Sequence, residues 1–255
     1  MPKYKLISCD VFQRELCAAI AESPNIVDPE FLELGLHQNS ENLRRRLQER
    51  VDEASLRGPS VSRGPYDAVL LGYGLCGNGL AGLTARGLPL VLARAHDCCT
   101  ILLGSRAAFL KAFGESLSAS WSSAGYIERG AAEHSSPYFR VSELGRSSGM
   151  GLEYEELAAK YGEENARYVY DTLQPPMEEK ELRYIETPET AFLGYAEAMR
   201  AKAAEEGKEF RLLRGSSRLL RALVAGSWSE EEFLVVPPGA SIRPLYDHER
   251  VIEAR

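Results

Sequence analysis

All five cysteines of this 255-residue chain lie in its first hundred residues, together with two of its four histidines. Cys9, His37, Cys76, His96 and Cys98 each stand just after a short apolar run of strand length. Thiolate with imidazole is a donor set that suits zinc, and also iron or cobalt. Neighbouring strands are about 4.8 Å apart, so four strand ends span roughly 14 Å. Zinc–ligand bonds are only about 2.0–2.3 Å, so three or four of these groups share an ion only where their loops fold inward. Cys9, His37, Cys76 and Cys98 are the expected metal ligands, and zinc the expected ion. His96 and Asp97 are the expected catalytic pair, one carrying a proton and the other orienting it. The same spacing also fits a cysteine nucleophile paired with His96. A redox pair between adjacent Cys98 and Cys99 is disfavoured by strain, and Cys99 is expected to point into a helix. Cys17, inside a helical pattern, is expected to be packed.

These groups need elements to position them. Ala68–Leu71 and Leu88–Ala93 are apolar runs of the kind buried on both faces, joined by a short crossover. They read as neighbouring parallel strands of an α/β sheet, whose carboxyl ends share one ligand-binding edge. The first run leads into Gly72-Tyr73-Gly74-Leu75-Cys76-Gly77, a formal match to the glycine-rich dinucleotide loop. Gly74, Gly77 and Tyr73 are therefore the expected cofactor contacts. The loop follows the third strand instead of the first, however, and the crossover leaves little helix to present amides to a pyrophosphate.

In chain order, the pattern predicts a strand at Tyr4–Ser8 and a helix over Val11–Ser23 capped by Asp10. A second strand at Phe31–Leu36 ends at His37, and a charged helix runs from Ser40 to Leu56. After the two central strands come a helix over Thr100–Phe113 and a strand at Leu117–Trp121. Residues 122–150 read as an irregular connection. Glu153–Leu173 follows as a long amphipathic helix. The last part alternates again: strand Leu182–Glu186, helix Ala191–Glu205, strand Phe210–Leu213, helix Ser217–Ala225 and strand Phe233–Val236. The expected fold is α/β, with Rossmann-like parallel sheets flanked by helices in two similar lobes, 1–125 and 126–255. Tyr73, Trp121 and Tyr126 are candidates to line a crevice between them. Gly215-Ser216-Ser217 offers helix-start amides to an anion or, more simply, a helix cap. His134 and His248 are expected to be exposed.

Composition narrows the partners. Lys and Arg total 30 against 37 Asp and Glu, a net charge of −7, which leaves no basic face for nucleic acid. No apolar run reaches the roughly 20 residues of a membrane span. The first residues turn polar too soon for a signal peptide, and the odd cysteine count suits reduced thiols, so the expected location is the cytoplasm.

The stretches that carry chemistry also carry a resemblance. Cys9 at a strand end, Leu36-His37, Gly72-Tyr73-Gly74-Leu75-Cys76-Gly77 and Arg94-Ala95-His96-Asp97-Cys98 with Leu103-Gly104-Ser105 resemble the DUF1638 family, uncharacterised proteins of methanogens and other anaerobes. Lys160-Tyr161-Gly162-Glu163-Glu164-Asn165-Ala166 and Val236-Pro237-Pro238-Gly239 extend the match over most of the chain. Ser118-Ala119-Ser120-Trp121 departs from it, because a threonine and glycine usually precede that tryptophan. Members tend to occur near corrinoid-dependent methyl-transfer systems. The resemblance thus implies a metal-binding methyl-transfer enzyme of anaerobic one-carbon metabolism, acting on a small-molecule substrate or a corrinoid protein. A non-catalytic accessory protein that holds a metal or a corrinoid is the alternative. An enzyme is expected to leave a coordination position open, and a carrier to close it with protein ligands.

Overall fold

The computed structural model describes residues 1–57, 64–114, 120–129, 140–141, 163, 181–245 and 250–255. The chain enters as β1 (Lys3–Cys9), whose Leu6, Ile7 and Ser8 are fully buried. A 3-10 turn over Asp10–Phe12 leads into α1 (Gln13–Glu22), β2 (Ile26–Leu32) and α2 (Ser40–Arg57). β3 (Ala68–Gly72) and β4 (Leu90–Ala93) are buried at every position, as their unbroken apolar runs require. Burying each of their Leu and Val side chains contributes about 1.5–3 kcal/mol. After α3 (Cys98–Leu103) and α4 (Arg106–Phe113), the chain forms β5 (Ser120–Ser123), α5 (Ala124–Arg129) and β6 (Arg140–Val141). β7 (Glu181–Glu186), α6 (Tyr195–Glu205), β8 (Glu209–Arg214), α7 (Arg218–Ala225) and β9 (Phe233–Val236) follow. β10 (Ile242–Pro244) and β11 (Ile252–Ala254) close the chain as an antiparallel pair.

Five strands make the main sheet in the order β2-β1-β3-β4-β9. The first four are parallel, and β9 joins β4 antiparallel, with Leu90 opposite Val236. A second sheet has the order β6-β5-β7-β8, in which β5, β7 and β8 are parallel. The molecule is thus mixed α/β with a mostly parallel central sheet flanked by helices. The sheet that holds the first half's strands takes its last strand from beyond residue 225. α7 presents buried Leu219, Leu220, Leu223 and Val224 and packs against α1 and β4. Among the described residues no helix is long and apolar enough to cross a membrane.

Several elements differ from the sequence reading. The second strand lies at Ile26–Leu32, upstream of the expected Phe31–Leu36. Its Asp28, Pro29 and Glu30 mask the apolar signal, and a proline without an N–H is tolerated because β2 is an edge strand. Asp10 does not cap α1; it opens the 3-10 turn, and its carboxyl accepts a hydrogen bond from the Leu34 backbone. The expected helix Thr100–Phe113 breaks at Gly104, whose φ of +78° ends α3 before Ser105 caps α4. Residues 124–129, read as irregular, are helical. The expected helix Glu153–Leu173, His134 and His248 lie outside the described residues.

Candidate thiol-lined ligand site

The chain leaves β1 for β2 on one side and later places β3 on the other side of β1. The carboxyl ends of strands beside such a reversal are the place where open α/β sheets bind ligands. Cys9 is the last residue of β1, and Tyr73 is the first after β3. The register Ser8↔Gly72 sets them opposite one another. A side chain on Gly72 would run into Ser8, 2.2 Å from its Oγ, so glycine is what lets the two strand ends close up. The Ser8 hydroxyl, itself buried, donates to the carbonyls of Cys9 and Gly72 at 3.0 and 3.1 Å.

Beyond β3 the backbone is held against the loop that follows β4. The Leu75 and Cys76 amides donate to the carbonyls of Ala95 and His96 at 2.8 and 3.0 Å. Gly74 sits so close to Asp97 that a Cβ there would lie 2.8 Å from the Asp97 nitrogen. Cys76, Gly77 and Asn78 then take φ values of 47°, 60° and 69° in succession. A left-handed φ is uncommon for a non-glycine residue and carries strain that the surrounding contacts must hold. Ser40, at the start of α2, donates to the Gly77 carbonyl at 2.8 Å and fixes this turn from the other side. No helix follows the turn before Cys98, so the glycine loop lacks the helix start that a dinucleotide phosphate loop requires. Gly74 and Gly77 serve the close approach of two loops.

The corner so built is dry and acidic. Cys9, Tyr73 and Cys76 are exposed by only 8, 3 and 7 %. Burial pushes the Cys9 thiol up to about 12, against a backbone hydrogen bond from Val11 that lowers it. Burial also raises the Tyr73 phenol well above its ordinary value, and Cys9, Cys76, Asp10 and Glu30 add to the effect in that order. The Tyr73 hydroxyl has no hydrogen-bond partner among the described residues. The Asp10 carboxyl is raised chiefly by burial, with Arg129 working against the shift, and its Oδ1 is likewise buried without a partner there.

The other expected site residues are placed as follows. Asp97, fully buried, is the cap of α3: its Oδ1 accepts from the Thr100 amide and hydroxyl, each at 2.9 Å. His96, half-buried, follows β4 and gives its carbonyl to Cys76. Cys98 opens α3, and its Sγ lies 2.8 Å from the Tyr126 hydroxyl of α5. Tyr126 in turn meets Trp121 edge-on, with ring centroids 4.9 Å apart. The sequence marked both aromatics for the crevice, but nothing in it signalled the thiol–phenol contact. His37 stands five residues beyond the end of β2, half-buried in a 3-10 turn. Cys99 is fully buried, as expected, whereas Cys17 is exposed, against expectation. In the second half, the Ser217 hydroxyl at the start of α7 donates to Glu189 at 2.6 Å and makes no cap bond, while Ser216 accepts from the Arg218 amide at 3.3 Å.

Cys9, Tyr73, Cys76, His96 and Cys98 thus all follow strands of one sheet edge. Among the described residues, however, no three His, Cys, Asp or Glu side chains group as an ion would need. The set Cys9, His37, Cys76 and Cys98 is not assembled into a four-donor cage. A cavity of about 390 Å³ opens instead at the opposite, amino edge, between Tyr4 and Trp228. Among its lining residues Asp67 accepts from the Lys3 amide and the Trp228 indole donates to the Leu223 carbonyl.

Fold and site together define a mixed α/β protein with buried thiols, Cys9 and Cys76, where its parallel strands end. The chain belongs to the DUF1638 family, described as a protein of unknown function, whose model matches residues 31–224. No curated protein and no solved structure matches it.

Proposed function

We propose that this chain handles a thiophilic ligand, a zinc-type ion or a corrinoid, at the Cys9–Tyr73–Cys76 corner, and that it serves methyl transfer in one-carbon metabolism. A Rossmann-like reading of the main sheet belongs with this proposal, since it puts the ligand at the reversal of strand order. The observation that carries it is the burial of two thiols on one sheet edge, Cys9 at the end of β1 and Cys76 in the loop after β3, both acting on the Tyr73 hydroxyl. Burial bears on how the thiols work. With Cys9 pushed up to about 12, it is a protonated thiol near neutrality and a poor bare nucleophile. A bound cation offsets the burial cost of the thiolate and draws off the proton. For Cys9 this favours holding a ligand over nucleophilic attack. It also keeps the accessory-protein reading open beside the enzyme.

The test is anaerobic purification of the untagged protein, metal analysis, and titration of the chelated protein with Zn²⁺. Wild type is expected to carry near-stoichiometric zinc or iron and to release protons when it takes up Zn²⁺. The Cys9→Ser and Cys76→Ser variants are expected to lose both. A metal-free protein that takes up Zn²⁺ no better than the double serine variant overturns the proposal. Methyl transfer from methylcobalamin to a thiol then separates enzyme from carrier.

A further inference from the structure

Two buried thiols alone leave an ion under-coordinated, since zinc-type ions take four donors. His, Cys, Asp and Glu supply no third among the described residues. Tyr73 is the group on which both thiols act. It follows β3 directly, opposite Cys9 and three residues before Cys76, and its ring is 3 % exposed. Its hydroxyl is buried with no hydrogen-bond partner among the described residues. Buried hydroxyls are nearly always satisfied, so an orphan of this kind asks what completes it. Apart from its own burial, the thiols of Cys9 and Cys76 act on this hydroxyl most strongly, followed by Asp10 and Glu30; all four are acidic groups. A metal cation placed there meets sulfur and oxygen donors, and its binding draws off their protons.

We infer that Tyr73 supplies the third protein donor of the site, so that the corner takes a divalent borderline metal ion on two cysteine sulfurs and one tyrosine oxygen. This rests on the proposed thiophilic function and names the ligand class and donor set of the same corner. The fourth position is left to an exogenous group, which is the arrangement of a working site and not of a sealed structural one. The departure from a cysteine–histidine cage follows from where the other two expected donors lie. Cys98 is engaged with Tyr126, and His37 lies beyond its strand in a 3-10 turn.

The experiment uses Co²⁺ as the probe on the chelated full-length chain, read by its absorption spectrum and by competition with a chelator. Wild type is expected to bind one Co²⁺ with thiolate charge-transfer absorption in the near ultraviolet. Tyr73→Phe is expected to keep that absorption, change the visible bands that report donor number, and bind at least tenfold more weakly. Its metal-free form is expected to melt no lower than wild type, because the substitution removes an unsatisfied hydroxyl and keeps the ring. A Tyr73→Phe variant with unchanged affinity and visible spectrum overturns the inference and leaves the thiol proposal standing. A wild type that shows no thiolate absorption with Co²⁺ overturns both. A metal-free Tyr73→Phe protein that melts well below wild type overturns the inference too, since the hydroxyl would then be part of the fold.

Discussion

The five cysteines separate by what surrounds each sulfur. Cys99 is fully buried behind α3, where burial raises its thiol well above the usual value. Cys99→Ser is expected to cost about 1–3 kcal/mol, because a hydroxyl replaces a sulfhydryl among apolar neighbours. Cys17→Ala is expected to stay within about 0.5 kcal/mol of wild type, as surface changes do. Urea unfolding of the two variants checks the contrast, and equal losses would contradict the burial. The sequence placed Cys99 correctly and Cys17 wrongly. The helical face of Phe12 and Leu16 is the buried one, and Cys17, one residue past Leu16, lies off it and is exposed. Asp97 was legible as important but not for its role. Asp97→Ala removes the acceptor of both Thr100 bonds and is expected to cost about 1–2 kcal/mol as a lost helix cap, with Asp97→Asn retaining part of it.

At the scale of elements, strands buried on both faces were easily read, because β3 and β4 are unbroken apolar runs. β2 was not, since an edge strand with Asp28, Pro29 and Glu30 shows no apolar period. That slip misplaced His37, which looked like a strand end and is a turn residue. Nor does any periodicity reveal strand direction, so β9 reads as one more strand and pairs antiparallel with β4. Pairings between distant elements are equally silent in sequence. Glu15 of α1 is buried and accepts a hydrogen bond from the Thr187 hydroxyl, just past β7, at 2.8 Å. Burial raises its carboxyl above the ordinary 4.5, and the Thr187 bond opposes the shift. With its pKa raised in the fold, the native state holds a proton that the unfolded chain has given up. Its contribution to stability is therefore full below about pH 4.5 and falls as the pH rises through the folded value. Glu15→Gln removes that slope. The difference in unfolding free energy between wild type and Glu15→Gln is expected to move in favour of the variant as pH increases from 4 to 8. A difference independent of pH would show that Glu15 is ionised in the native protein.

Across the whole molecule, the two sheets meet through the segments that follow their strands. Val11 after β1 touches Gly125 of α5, Cys98 after β4 touches Tyr126, and the Ser216 amide after β8 donates to the Leu102 carbonyl at 2.8 Å. The carboxyl ends of both sheets thus face one seam, with the thiol corner beside it. Gly125 is the tightest point of that seam. An added Cβ would lie 1.9 Å from the Val11 carbonyl oxygen and 2.7 Å from its carbon, against backbone with no flexible side chain to yield. Gly125→Ala must therefore move α5 away from the Asp10–Phe12 turn, at an overpacking cost of about 1–3 kcal/mol. The shift carries Tyr126 with it, so the Cys98 contact opens and Trp121 loses its edge-on partner. We expect a lower melting temperature, a reduced near-ultraviolet tryptophan signal in a Trp228→Phe background, and Cys98 newly reactive to thiol reagents in native buffer. The secondary structure of the five-stranded sheet should persist, because none of its strand pairs includes α5. An alanine variant that melts and reacts like wild type would mean that the seam tolerates separation, and that Cys98 is shielded by something other than Tyr126.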